Sequence, residues 1–262
     1  MDLTVLSATS EPPARVQTAS SYLVGEALAV DAGVLGLCGS LARQRAVTDV
    51  VLTHAHADHV AALPMFLENA YTPGPGCPRV HGTAHTLGVL RRSVFNGDVW
   101  PDFEAISTPD NAFLSLHELV PGEAVSIAGH TVTPVPVDHA VPCVGLLVDD
   151  GASTLVFSGD TSATSALWEA AAAPGRPPVA AVVLECSFPD ALAGLGVTTG
   201  HLTPAAFAAE VAKLPGGHRV VATHLKAAFW EAVAGELRAL GLGDRLVIAG
   251  DPNTLNVPLR FR

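Results

Sequence analysis

The stretch His54-Ala55-His56-Ala57-Asp58-His59 constrains this chain more than any other, because it sets four metal-ligating side chains within six residues. It follows an apolar run, Val47 to Thr53, that reads as a strand leading into a loop and then a helix. Imidazole and carboxylate suit borderline divalent ions such as zinc, and three or more of them converging on one loop hold one or two ions. Ligands at the C-terminal end of a strand are a common way for an α/β fold to display chemistry.

The rest of the chain has the matching grammar. Ser21 to Val24 and Ala27 to Asp31 read as a hairpin that ends in the turn Asp31-Ala32-Gly33. A helix is expected from Ala84 to Val94, after the proline- and glycine-rich loop at 72–79, and Phe95 to Ala112 reads as a long functional loop. Short apolar runs and turns between Ala124 and Gly159 predict an antiparallel meander. There follow a helix at Ser165 to Ala173, a buried strand at Val179 to Leu184 and a helix from Pro204, with Thr203 as its cap, to about Leu214. A strand at Arg219 to Thr223, a helix at Ala227 to Leu240 and a strand at Leu246 to Ala249 end the pattern. Each half gives strands, a metal-type loop and then helices. That order predicts a four-layer α/β/β/α sandwich in which residues 1–262 form a single domain.

With 49% hydrophobic and 15% charged residues over 262 positions, and a mean hydropathy of +0.38, the chain can bury a large core. Its net charge of -11 sets up a field that repels polyanions, so a nucleic-acid polymer is disfavoured; bound cations reverse that field locally for a small anion. The start MDLTVLSATSEPPARV lacks a basic segment before an apolar run, and no stretch approaches the roughly 18 apolar residues of a membrane span, so a cytoplasmic location with no membrane contact is expected. Cys38, Cys77, Cys143 and Cys186 form no C-x-x-C pair and read as isolated thiols in a reducing compartment.

H-x-H-x-D-H after a strand resembles the metal loop of the metallo-β-lactamase superfamily, which has this sandwich. Further matches are His139 in PVDHAVPCVG, Asp160 in FSGDT and His224 in VVATHLK. The resemblance implies one ion on His54, His56 and His139 and a second on Asp58, His59 and His224, with Asp160 between them. It also implies two divalent ions, zinc first and manganese or iron as alternatives, that share a water and make hydroxide available near neutral pH.

LECSFPD and GHLTP place Glu185 and His201 where phosphodiesterase members of the superfamily have a cooperating Glu and His. The carboxylate fixes the imidazole tautomer, and the other ring nitrogen gives a proton to a leaving oxygen. Asp58, Glu185 and His201 are thus the expected catalytic set. FNGDVWPDF, SFPD, GHLTP and THLK together resemble the class II cyclic-nucleotide phosphodiesterases, implying hydrolysis of 3′,5′-cyclic AMP or GMP to the 5′-nucleotide. Where that family tends to have a glycine-rich turn near the N-terminus, this chain has SATSEPPA. Asn96, Trp100, Phe103 and Lys226 are the expected substrate contacts, since aromatic faces stack on bases and a lysine can meet a phosphate oxygen. The expected partner is a small cyclic nucleotide, with a homodimer as one assembly open to the chain. The rival readings are a tRNA 3′-processing endonuclease and, more distantly, a metal-binding regulator without turnover.

Overall fold

The computed structural model describes residues 1–8, 19–214, 217–252 and 254–261. Along its strands the side chains alternate between two apolar environments. Val51 and Val183 join one buried cluster, whereas Val50, Leu52, Val182 and Leu184 join others. A strand that is apolar on both faces needs cover on both, and two stacked sheets with helices outside supply it.

The described residues form fourteen strands. These are β1 (Asp2–Val5), β2 (Tyr22–Val24), β3 (Leu28–Val30), β4 (Asp49–Val51), β5 (Arg79–Gly82), β6 (Ser115–Glu118), β7 (Val125–Ile127), β8 (His130–Val137), β9 (Cys143–Asp149), β10 (Thr154–Phe157), β11 (Val179–Glu185), β12 (Arg219–Thr223), β13 (Leu246–Ile248) and β14 (Pro258–Arg260). One seven-stranded sheet runs β14-β1-β2-β3-β4-β5-β6 and the other β13-β12-β11-β10-β9-β8-β7. Each is antiparallel in one part and parallel in the other, the change falling at β3 in the first and at β10 in the second. Leu3, Val30, Val51, Leu146, Phe157 and Val183 fill the space between the sheets. Helices Leu63–Ala70 and Ala84–Ser93 carry side chains into the cluster on the outer face of the first sheet, and Pro204–Ala212 and Trp230–Ala239 into that of the second. This is the four-layer α/β/β/α sandwich that the sequence predicts.

Several expectations need correction. The long loop from Phe95 is partly ordered by a short helix, Phe103–Ile106, whose first turn is capped by the Asp102 side chain. Phe103, expected to stack on a base, is buried, with Phe95 and Phe113 stacked on it at centroid distances of 5.7 and 5.2 Å. Asn96 is spent on its own turn: its Oδ1 accepts from the backbone of Asp98 and Val99, and its Nδ2 donates to Arg92 O. Trp100 is half-buried and packs against the same outer core. Thr203 has the extended backbone of a cap but makes no side-chain capping bond; Asp190 Oδ1 instead accepts from Ala205 N at 2.9 Å. Of the SATSEPPA segment, residues 9–14 lie outside the described residues. The expectation of isolated thiols holds: all four cysteines are free, with Cys143 and Cys186 buried.

At the start of the parallel strands, away from the metal loop, Asp49 is fully buried and accepts from Arg79 at 2.6 and 2.7 Å and from Thr48 Oγ1 at 2.7 Å, with His81 Nε2 at 2.8 Å. Burial pushes this carboxyl up, but these bonds and the Arg79 charge outweigh it and bring it from 3.8 down to about 2. A depressed carboxylate stabilises the fold above its unfolded-state value and loses that contribution as pH falls through its folded-state value. Asp49→Asn should therefore lower the melting temperature at pH 5 to 7, and the gap to the parent should close between about pH 4 and pH 2. A gap that stays constant across that range would show that the carboxylate's charge is not what stabilises this strand end.

Candidate metal centre

The metal loop leaves β4 and turns over the end of the β2–β3 hairpin. Ala32 N donates to His59 O at 2.7 Å and Ser20 N to Asp58 O at 2.8 Å. The loop passes so close that a Cβ on Gly33 would stand 2.0 Å from Asp58 O, so only glycine fits there. His139 follows β8, Asp160 follows β10, Glu185 ends β11 and His224 follows β12. Strand ends from both sheets thus converge on one point.

Asp160 lies at that point, buried, with its carboxylate 3.7 Å from His54 Nε2, 3.3 Å from His59 Nε2, 3.9 Å from His139 Nε2 and 3.3 Å from His224 Nε2. His56 Nδ1 is 3.2 Å from His139 Nε2, and His224 Nε2 is 3.2 Å from Asp58 Oδ2. The ligand atoms of His54, His56, His139 and Asp160 fall within 4.8 Å of one another, as do those of Asp58, His59 and His224. All seven residues expected as ligands are brought together.

A second set of groups aims the imidazoles. His59 Nδ1 is 2.7 Å from Asp31 Oδ2, His139 Nδ1 is 2.9 Å from Gly200 O, and His224 Nδ1 is 2.8 Å from Ser187 Oγ. Thr53 Oγ1 donates to Asp31 and lies 3.1 Å from His54 Nδ1. Holding Nδ1–H in this way turns the Nε2 lone pair inward, as metal-ligating histidines require. Gly200 adopts φ +70°, and a Cβ there would press on His139 at 3.0 Å. Asp31, Thr53 and Ser187 were not picked out from the sequence. In the sequence Asp31 reads only as part of the turn Asp31-Ala32-Gly33.

The charges fit divalent ions. His54 Nε2 and His59 Nε2 are buried and make no aligned hydrogen bond among the described residues. Burial, with the neighbouring His59, His139 and His56, pushes His54 down to about 2, which keeps its lone pair available. Burial also lowers His56 and His139. At His59 burial acts downward too, but the Asp160 and Asp31 carboxylates override it and raise that imidazole well above its ordinary range. Two buried carboxylates asking for positive charge beside unpaired imidazole nitrogens match the donor set of a nitrogen- and oxygen-ligated divalent ion.

Beside this set, His201 Nδ1 is 2.7 Å from Glu185 Oε1, and Glu185 Oε1 also accepts from Thr161 N at 3.0 Å. Burial lowers His201, but the bond and charge of Glu185 outweigh it, so the imidazole is raised. Asp160, His201 and His224 form a further possible ligand group, yet the His201 nitrogen within 4.0 Å of Asp160 is the Nδ1 already engaged by Glu185. Lys226 Nζ reaches Asp58 Oδ2 and His224 Nε2, both at 3.3 Å.

A family model described as a beta-lactamase superfamily domain matches residues 35–225, more than half of the chain and nearly the whole metal centre. The chain belongs to the metallo-β-lactamase superfamily. An uncharacterized protein of Mycobacterium tuberculosis is 29% identical to it over an alignment of 184 positions that covers 64% of this chain and 63% of that one, so the chain spans under two thirds of that relative. A probable 3′,5′-cyclic-nucleotide phosphodiesterase of Yersinia pestis is 25% identical across 80% of this superfamily member and 69% of its own length. A ribonuclease Z of a Mycobacterium species is 27% identical across 67% and 66%. Among solved structures, unliganded yeast PDE1 superposes with a TM-score of 0.75 over 95% of this chain and 97% of that one, at 21% identity.

A carboxylate between two ligand groups screens the repulsion between the ions it joins. After reconstitution with zinc, Asp160→Ala should accordingly retain fewer equivalents than the parent, by elemental analysis after dialysis. Retention of two tightly held equivalents would remove Asp160 from the bridging position.

Proposed function

We propose that this metallo-β-lactamase-fold hydrolase cleaves the 3′,5′-cyclic phosphate of a purine nucleotide and releases the 5′-monophosphate. The observation that carries the reading is the Glu185–His201 pair, 2.7 Å apart and set beside the ligand cluster. Alkoxide leaving groups need a proton donor, and a positioned imidazole is a suitable one. The similarity to the Yersinia phosphodiesterase over 80% of the chain supports the same reading.

His54, His56 and His139 would hold one ion, Asp58, His59 and His224 the other, and Asp160 both. Bound there, zinc, manganese or iron would supply a hydroxide nucleophile near neutral pH and neutralise phosphoryl charge. The protein's own groups do the rest. Glu185 Oε1 accepts a hydrogen bond from His201 Nδ1–H and leaves Nε2–H to protonate the departing 3′-oxygen; its negative charge stabilises the imidazolium that must precede that transfer. Lys226, with its ammonium at Asp58 and His224, would meet a phosphate oxygen. A polymeric RNA substrate, as the ribonuclease Z relative's name would indicate, suits a net charge of -11 less well.

The test compares leaving groups. His201→Ala should lose on the order of 10²–10⁴-fold in turnover of cyclic AMP. It should lose much less on bis-p-nitrophenyl phosphate, whose p-nitrophenolate departs without a proton, and zinc content should be unchanged. Equal losses on both substrates, or loss of zinc, would remove His201 from the role of proton donor. Absence of cyclic-nucleotide turnover in the parent, with salt-sensitive cleavage of tRNA precursors, would replace the substrate reading altogether.

A further inference from the structure

Ser187 stands between the two parts of this centre. Its side chain is fully buried two residues past the end of β11. The backbone around it is pinned by three hydrogen bonds to two segments: Cys186 N donates to Thr223 O at 2.9 Å, Ser187 N to Leu202 O at 3.0 Å and Lys226 N to Ser187 O at 3.3 Å. The hydroxyl therefore sits at a point fixed by the strands and loops that carry Glu185, His201 and His224.

A serine hydroxyl has one proton to donate and two lone pairs to offer. Two acceptors face that proton, Glu185 Oε2 at 2.9 Å and the His224 carbonyl oxygen at 3.3 Å, and the shorter bond to the charged Glu185 takes it. A lone pair then faces His224 Nδ1 at 2.8 Å and can accept its proton, which leaves Nε2 as the nitrogen turned toward Asp58 and Asp160. His201 Nδ1 is farther from the hydroxyl, at 3.3 Å, and has its shorter partner in Glu185 Oε1 at 2.7 Å. The bonds form one directed chain: His224 Nδ1–H to Ser187 Oγ, Ser187 O–H to Glu185 Oε2, and His201 Nδ1–H to Glu185 Oε1.

We propose that Ser187 is a positioning residue whose single hydroxyl aims His224 as a metal ligand and Glu185 as the partner of His201. The metal centre and the proton donor are thereby oriented by one group. The proton-donor half of this inference rests on the phosphodiesterase reading above; the His224 half does not.

Three measurements on the whole protein test it with Ser187→Ala and Ser187→Thr. Chelator competition with zinc should show one of two equivalents weakened about 10–100-fold in the alanine variant, the usual effect of losing an outer partner of a ligating histidine, with the other equivalent unchanged. Imidazole ¹⁵N NMR should show His224 protonated at Nδ1 in the zinc-free parent and as a mixture of tautomers in Ser187→Ala. Turnover should fall more on cyclic AMP than on bis-p-nitrophenyl phosphate, and the threonine variant, which keeps the hydroxyl, should recover all three properties. Should the alanine variant fail to fold, Ser187→Cys keeps a similar volume with a much weaker donor and acceptor, and should show the same losses in milder form. Unchanged zinc affinity with an unchanged His224 tautomer would overturn the inference. Equal rate losses on both substrates would overturn its link to Glu185. If the parent does not turn over cyclic AMP, the phosphodiesterase reading fails, and the zinc and NMR results alone decide whether Ser187 positions His224.

Discussion

The carboxylate of Asp160 is the point on which this structure depends. It is buried where the two sheets meet, with four histidine nitrogens between 3.3 and 3.9 Å away. A buried carboxylate without compensation is costly, and here the His224 and His59 charges outweigh burial and hold it well below the usual carboxylate range. The imidazoles that stabilise it come from loops after β4 and β12, one in each sheet, so both halves of the sandwich must be assembled before this charge is tolerable. Fold and site are thus tied together by one electrostatic requirement.

Support for the site is layered on both sides. On the first sheet Asp31, held by Thr53, steadies His59 directly and His54 through the threonine hydroxyl. On the second, Glu185 and Ser187 do the equivalent for His201 and His224. Asp31 and His224 both adopt the left-handed backbone, at φ +56° and +61°. Such conformations cost about 1–3 kcal/mol for residues other than glycine and persist where surrounding bonds over-determine them. Both lie at sharp exits from a strand, where the chain must turn at once to aim a polar group at the centre.

Much of this was legible in the sequence. The apolar runs marked β4 and β8 to β13, and the ligands followed them because strand ends are where this architecture displays polar groups. The short strands β1, β5, β6 and β14 were missed, since three or four residues such as Ser115–Glu118 carry too little periodicity to separate from a loop. The outer partners Thr53 and Ser187 were missed for a different reason. A hydroxyl matters there only because residues distant in sequence meet it, and nothing in THAHADH or ECSFPD alone says which imidazole each will face. The aromatics of the loop after Phe95 misled in the opposite sense: Phe103 has the right type for a base contact but is needed to bury the loop that carries it.

If Asp160 joins the two ligand groups, two ions share its carboxylate, each with its own set of histidines. Anomalous scattering from a zinc-loaded crystal, collected on both sides of the zinc absorption edge, tests it most directly. Two peaks are expected roughly 3.5–4 Å apart, one among His54, His56 and His139 and the other among Asp58, His59 and His224, with the Asp160 carboxylate between them. A single peak, or a second one ligated by His201 in place of Asp58 and His59, would contradict it.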